Sequence, residues 1–285
     1  MPVFVEGKSL LTQTRELLNR HGLKARKGLG QHFLVDGRVL HKIIAAAELS
    51  PADAVVEVGP GLGILTRRLA LKAGRVTAVE LDGSLAAILK AELSPLGNVS
   101  IVNDNILNIP PGSLAGGQPY KVVANLPYYI TSPVLRHFLE SPDRPAMMVV
   151  TVQKEVARVI TARPGDMSLL SVSVQLYGRP KMVASIPARA FFPAPEVDSA
   201  VVRIDVYPRP LVPPEDDPSF FQLARAGFTA SRKQIANSLA QGLGWPKTGV
   251  LEMLNEAGID PMRRAETLTL DDWLRLFQAY RQRAR

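Results

Sequence analysis

The sequence predicts an α/β fold, a mostly parallel sheet covered by helices on both faces, followed by a smaller all-α domain. Three observations carry this expectation. Between Ala54 and Tyr177 short apolar runs alternate with stretches of helical periodicity, the sequence form of successive βαβ units. Glycines at 59, 61 and 63 mark a tight turn between the first of these strands and its helix. Beyond the proline-rich stretch Tyr207-Pro208-Arg209-Pro210-Leu211-Val212-Pro213-Pro214 only helical patterns appear.

Taken in order, 10–19 and 39–49 have apolar positions at three- and four-residue spacing and are expected to be helices, with a Gly/Lys-rich loop between them. The apolar run 54–56 as a strand, helix 64–72, strand 75–80, helix 84–93 and strand 99–103 follow. A loop leads to strand 121–124, helix 133–139, strand 147–152 and two helical stretches within 155–177. Strands 180–186 and 200–206 are joined by a loop and are expected to pair at one antiparallel edge. In the C-terminal part, Thr269-Leu270-Asp271-Asp272 resembles a capping box ahead of Trp273-Leu274-Arg275-Leu276-Phe277. The expected domains are 1–207 and 208–285.

The 285 residues are 46% hydrophobic and 21% charged, ordinary values for a globular protein with a sizeable core. There is no cysteine, which excludes disulfides and thiolate metal sites and suits a reducing cytoplasm. His21, His32, His41 and His137 show no paired-ligand spacing, so no metal site is expected. The N-terminus lacks the pattern of a signal peptide. The longest strongly apolar run, 146–152, is too short to cross a bilayer, so no membrane association is expected. The net charge of +8 suits a polyanionic partner. Its placement says more than its size. Lys24, Arg26 and Lys27 precede Gln31-His32-Phe33-Leu34, and Arg225, Arg232, Lys233, Arg263, Arg264, Arg275, Arg281, Arg283 and Arg285 load the C-terminal quarter.

Two motifs carry chemistry. In Glu57-Val58-Gly59-Pro60-Gly61-Leu62-Gly63 the glycines let a nucleoside cofactor approach the backbone. Glu80 ends the next strand, 21 residues after Gly59, where a carboxylate can accept from both ribose hydroxyls. Asp104, just past the third strand, is placed to accept from an adenine amino group. A dinucleotide fingerprint would need glycine at position 64; the chain has Ile64. The second motif, Asn125-Leu126-Pro127-Tyr128, follows the strand 121–124. The Asn125 amide oxygen and the Leu126 carbonyl are candidate acceptors for the two N–H groups of an exocyclic amine, which favours a pyramidal, nucleophilic nitrogen. Pro127 stiffens the turn, and Tyr128 offers a stacking face. Together the motifs point to methyl transfer from S-adenosylmethionine to a nucleobase amine. Phe191 and Phe192, in the proline-rigid loop before the last strand, are candidates for the opposite wall of a base pocket. Such pairs also commonly split between core and surface.

With these residues in place, the chain resembles the KsgA/RsmA ribosomal RNA adenine dimethyltransferases over nearly its full length. The resemblance lies in Gly30-Gln31-His32-Phe33-Leu34, the 57–63 turn, Val79-Glu80-Leu81-Asp82, Asn125-Leu126-Pro127-Tyr128 and the segment 191–202. It implies a Rossmann-like class I S-adenosylmethionine-dependent methyltransferase domain with N-terminal helices, then a helical RNA- and ribosome-binding domain. It also implies N6,N6-dimethylation of two adjacent adenosines near the 3′ end of 16S rRNA, in a partly assembled small subunit. By position, His32 and Leu34 are expected at the methionine end of the cofactor and Gly59 and Gly61 along it. Glu80 is expected at its ribose, Asp104 at its adenine and Asn125 at the reacting amine. Tyr128, Phe191 and Phe192 are expected to meet the base, and Arg232 and Lys233 the RNA. The chain departs from the family pattern at His32, where asparagine is common, and at Ser231, where a second arginine is usual. A sister group modifies large-subunit rRNA and confers erythromycin resistance, and related proteins act as non-catalytic RNA-binding factors. The protein is expected to be monomeric.

Overall fold

A computed structural model describes residues 8–26, 28 and 30–283. Lys27 and Arg285, two of the basic residues singled out above, lie outside them, as does the N-terminal stretch through Gly7. The described chain forms two compact units. One runs to Ala157 and includes Arg179–Val206; the other comprises Arg158–Gly178 and the chain from Tyr207 onward. The segment 158–178, expected in the first domain, thus groups with the second unit. Its hydrogen bonds explain why: the Gly165 and Met167 backbone amides donate to the Glu266 carbonyl, and the Tyr177 hydroxyl donates to Asp217.

In the first unit, α1 (Leu10–Arg20), β1 (Phe33–Leu34), α2 (Gly37–Ala46), β2 (Ala54–Val58), α3 (Ile64–Ala70) and β3 (Arg75–Glu80) come first. They are followed by α4 (Gly83–Leu93), β4 (Val99–Asn103), α5 (Pro111–Leu114), β5 (Tyr120–Asn125), α6 (Thr131–Leu139) and β6 (Met147–Gln153). Helix α7 (Lys154–Ile160), which crosses into the second unit, and α8 (Leu169–Gln175), which lies in it, precede β7 (Gly178–Ile186), β8 (Phe191–Phe192) and β9 (Ser199–Val206). Seven strands form one sheet in the order β4-β3-β2-β5-β6-β9-β7. The first five are parallel, and β9 runs antiparallel to β6. The last two strands are neighbours as expected, with β7 at the edge.

Burial follows position in the sheet. In β6 all of Met147–Val152 is buried, as for a strand covered on both faces. Edge strand β7 instead alternates buried or half-buried residues with exposed ones. Leu40, Ile43, Ile64 and Leu69 pack on Val55, Val76, Val123 and Val149 in the main core cluster. Helix α2 starts earlier than its apolar period suggests, because Asp36 accepts from the amides of Arg38 and Val39. Asp82 caps α4 through the Ser84 amide.

The strand order reverses at β2, which lies between β3 and β5. Ligands of open α/β sheets bind at such a point, beyond the carboxyl ends of the strands. Both motifs leave the sheet there. A feature not apparent in the sequence closes over them: β1 pairs antiparallel with β8, Phe33 opposite Phe192 and Leu34 opposite Phe191. Two-residue strands are too short to show alternation.

The second unit holds α9 (Asp217–Phe228), α10 (Ile235–Leu243), α11 (Lys247–Glu256) and α12 (Leu270–Arg283), and Trp273 of α12 is fully buried, stacked with Phe228 at 5.4 Å. The capping box forms with Asp272 as its acid. The Thr269 hydroxyl accepts from the Asp272 amide at 3.0 Å, and the Asp272 carboxylate accepts from the Thr269 amide at 2.9 Å. Among the described residues no helix is long and apolar enough to cross a membrane.

Candidate active site

The pocket is built from the carboxyl ends of β2, β3 and β5. After β2, Gly59, Gly61 and Gly63 take φ of 65°, 59° and 75°, a region L side chains rarely adopt. Space is short as well: a Cβ on Gly61 would stand 3.1 Å from the Phe33 ring. The turn is tied to β3 by the Gly59 amide, which donates to the Val79 carbonyl at 2.9 Å.

Glu80, at the end of β3, is only 6% exposed. Its carboxylate accepts from the Gly61 amide at 3.1 Å and the Asp82 amide at 2.9 Å, so it joins the glycine turn to the next one. Burial pushes its pKa up, and these backbone N–H groups oppose the rise. Both oxygens keep lone-pair capacity for further donors. Asp82 is held in turn by Gln31 Nε2 at 3.3 Å and by Arg26 at 3.3 Å. The segment before β1 is thereby hooked onto the turn after β3.

At the end of β5, Asn125 Nδ2 donates to the His32 carbonyl at 3.0 Å, which fixes the plane of the amide. His32 Nδ1 lies 2.8 Å from the Pro193 carbonyl. A carbonyl only accepts, so Nδ1 carries the hydrogen. The His32 ring stacks with Tyr128, centroids 5.8 Å apart and planes 23° apart. The Tyr128 hydroxyl is 2.6 Å from Ser199 Oγ, and burial raises the phenol pKa, so the group stays neutral.

Of the residues expected at the site, His32, Leu34, Gly59, Gly61, Glu80, Asp104, Asn125, Leu126, Pro127 and Tyr128 all line this one pocket. Phe191 does not. It is 4% exposed and packed in the main core, because pairing with Leu34 turns it inward. Phe192 also lies off the pocket lining; it packs beside Phe33, Leu17 and Leu62, with the Arg15 guanidinium 5.0 Å from its ring centre. Arg232 and Lys233 belong to the second unit, in the turn between α9 and α10, both exposed. Neither forms an ion pair among the described residues. Arg263 and Arg275 pair with Asp272, Arg264 with Glu266, Arg281 with Asp216, and Arg283 with Glu252 and Glu256. Much of the C-terminal charge is therefore neutralised internally.

Among the lining residues to which sequence reasoning gave no role are Glu57, Tyr129 and Leu81. Glu57 is a carboxyl in an otherwise apolar strand, a signal in itself. Tyr129 follows Tyr128 directly. Leu81, 50% exposed, presents apolar surface beside Glu80.

The sequence pattern of the ribosomal RNA adenine dimethylase family matches residues 22–282, almost the whole described chain. The chain belongs to this family. Among its relatives is the ribosomal RNA small subunit methyltransferase A of Dehalococcoides mccartyi, 50% identical over 95% of this chain and 94% of that protein. The structure of the 23S rRNA methyltransferase ErmE is 32% identical with a TM-score of 0.71, covering 87% of this chain and 98% of that one. A dimethyladenosine transferase from Plasmodium falciparum shares the fold, at 23% identity and a TM-score of 0.78, over 89% and 98% of the two chains. As a class I methyltransferase of the adenine dimethylase family, the chain is expected to use S-adenosylmethionine. The left-handed glycine turn, the buried carboxylate of Glu80 and the apolar Leu81 beside it suit a nucleoside.

Proposed function

We propose that this protein transfers methyl groups from S-adenosylmethionine to N6 of two adjacent adenosines near the 3′ end of 16S rRNA, in a partly assembled small ribosomal subunit. The product is N6,N6-dimethyladenosine at both positions. The observation that carries the reading is the Asn125 amide, oriented by the His32 carbonyl in the pocket that Glu80 and the glycine turn also line. The 50% identity to a small-subunit enzyme, against 32% to ErmE, supports the small subunit over the large. Glu80, Asp104 and Asn125, gathered in one pocket, argue against a purely non-catalytic factor.

The cofactor supplies an electrophilic methyl group on a sulfonium centre. Glu80 would accept from the ribose hydroxyls and Asp104 from the adenine amine, with Leu81 offering apolar surface beside them. With Nδ2 engaged by His32, Asn125 would direct its oxygen to an N–H of the substrate amine, and in the first transfer the Leu126 carbonyl would take the second. Each transfer breaks the methyl–sulfonium bond, leaves a thioether and releases the amine proton to water. Both contacts strengthen as positive charge develops on nitrogen, and positioning supplies most of the rate. Tyr128 stacks on the extruded base. Arg232 and Lys233 contact phosphate. The protein works as a monomer in the cytoplasm.

The decisive experiment incubates labelled cofactor with small subunits lacking the modification and maps the product. Two adjacent dimethylated adenosines are expected; label confined to large-subunit rRNA overturns the proposal. Glu80→Ala is expected to weaken S-adenosylmethionine binding roughly ten- to a hundred-fold in calorimetric titration, since bonds to a charged acceptor contribute about 1.5–3 kcal/mol. Unchanged affinity in a folded variant removes Glu80 from the site. Arg232→Ala with Lys233→Ala is expected to weaken subunit binding and flatten its salt dependence, because fewer counterions are released. Cofactor affinity stays at the parental level. Equal salt slopes in both proteins mean the turn between α9 and α10 does not touch RNA.

A further inference from the structure

Tyr129 is the one Phe, Tyr or Trp side chain among the described residues that is exposed, at 55%. It also lines the pocket, so its ring stands where the pocket meets solvent. Its position is built. Tyr128–Ile130 is a single 3₁₀ turn, closed by the Ile130 amide donating to the Pro127 carbonyl at 3.2 Å. The ring rests against Gly30, which has a φ of 60°; a Cβ there would lie 3.3 Å from Tyr129 Cδ1. Gly30 thus leaves room for the ring from below, while more than half of its surface stays open.

The adjacent tyrosines are treated differently. Tyr128 is half-buried, with its hydroxyl held by Ser199 and its ring beside His32. Tyr129 is held only at its base. A large ring left in water at a pocket mouth forgoes the stabilisation of burial. A stacking partner from outside recovers it.

We propose that Tyr129 is the stacking platform for the unpaired RNA base next to the one that enters the pocket. This rests on the proposed function. Extruding an adenosine breaks the stack on both sides and leaves its neighbour with a bare face. An aromatic ring one residue from Tyr128 meets that need without reading base identity, since every base has a π-face. When the substrate is two adjacent adenosines, the same platform serves whichever waits outside.

The test is methyl transfer to unmodified small subunits by the parent and by Tyr129→Ala, Tyr129→Phe and Tyr129→Trp, with cofactor titration in parallel. Tyr129→Ala is expected to raise KM for subunits by about ten-fold, a typical loss of one base–aromatic contact. Its single-turnover rate at saturation and its S-adenosylmethionine affinity stay near parental, the pattern of a lost uniform contact. Phenylalanine and tryptophan restore KM. An unchanged KM in Tyr129→Ala overturns the proposal. So does a fall in cofactor affinity, which makes the residue a wall of the cofactor site. Tyr129→Phe as poor as Tyr129→Ala overturns it too, by assigning the effect to the hydroxyl. A parent that labels small subunits while Tyr129→Ala matches it sinks this inference alone; a parent that leaves them unlabelled sinks the proposed function as well.

Discussion

Asn125→Ala is expected to lower single-turnover methyl transfer at least about a hundred-fold while leaving subunit binding and cofactor affinity near parental. Loss of one preorganised polar group at a reacting centre has effects of this size. The ground state gains little from the amide, because an adenine amine shares its lone pair with the ring and is a weak donor of charge. As nitrogen attacks, its N–H groups become more acidic and the bond to the Asn125 oxygen strengthens, so the loss falls on the rate. The structure separates this from instability. Alanine removes the 3.0 Å hydrogen bond from Nδ2 to the His32 carbonyl, about 1 kcal/mol for a half-buried pair. Tyr128→Ala, by contrast, is expected to weaken capture of the base more than the step itself. An Asn125→Ala protein that is folded and dimethylates at the parental rate ends the proposed mechanism.

Much of the first unit could be read in the sequence because its strands are central. β2, β5 and β6 are mostly buried and appear as short apolar runs at 54–56, 122–124 and 147–150. The helices between them carry their own period. What escaped has short range or long-range causes. The β1–β8 pair is two residues long, and its partners are 157 and 159 residues apart, so nothing local marks it. Segment 158–178 follows a Rossmann-like strand without a break in pattern. Its grouping with the helical unit rests on distant partners such as Glu266 and Asp217.

The pocket was easier to anticipate than the surface. Glycine turn, strand-end carboxylate and Asn125 turn all sit at carboxyl ends of neighbouring strands, and parallel order alone brings such ends together. Phe191 shows the limit of that logic. In a loop its neighbours are decided by pairing, and pairing with Leu34 sends it into the core. Counting arginines failed for a related reason. Asp272 alone holds Arg263 and Arg275, and Glu252 and Glu256 hold Arg283, so formal charge overstated what is free to meet phosphate.

Glu57→Gln is expected to stabilise the protein at pH 8 and to do so much less at pH 5. Glu57 lies in β2 between Val56 and Val58, 1% exposed, and its Oε2 has no hydrogen-bond partner among the described residues. Burial pushes its carboxyl from the ordinary 4.5 up to about 8, the Thr66 side chain opposes the rise, and the nearby Glu80 adds to it. The folded protein therefore keeps a proton that the unfolded chain gives up. Stability from this group is complete below about pH 4.5, falls as pH rises through the window, and is gone above about 8. Each unit of difference corresponds to about 1.4 kcal/mol, so the cost at pH 8 reaches several kcal/mol. Glutamine has the shape of the protonated acid and cannot ionise, so the variant escapes that loss. The raised pKa of Glu80 adds a slope of its own, but it is common to both proteins and largely cancels in the difference. Thermal unfolding at pH 5, 6.5 and 8 reads the effect directly. The gap in Tm between variant and parent should widen with pH to several degrees; parallel curves would mean that Glu57 is not held neutral beneath the glycine turn.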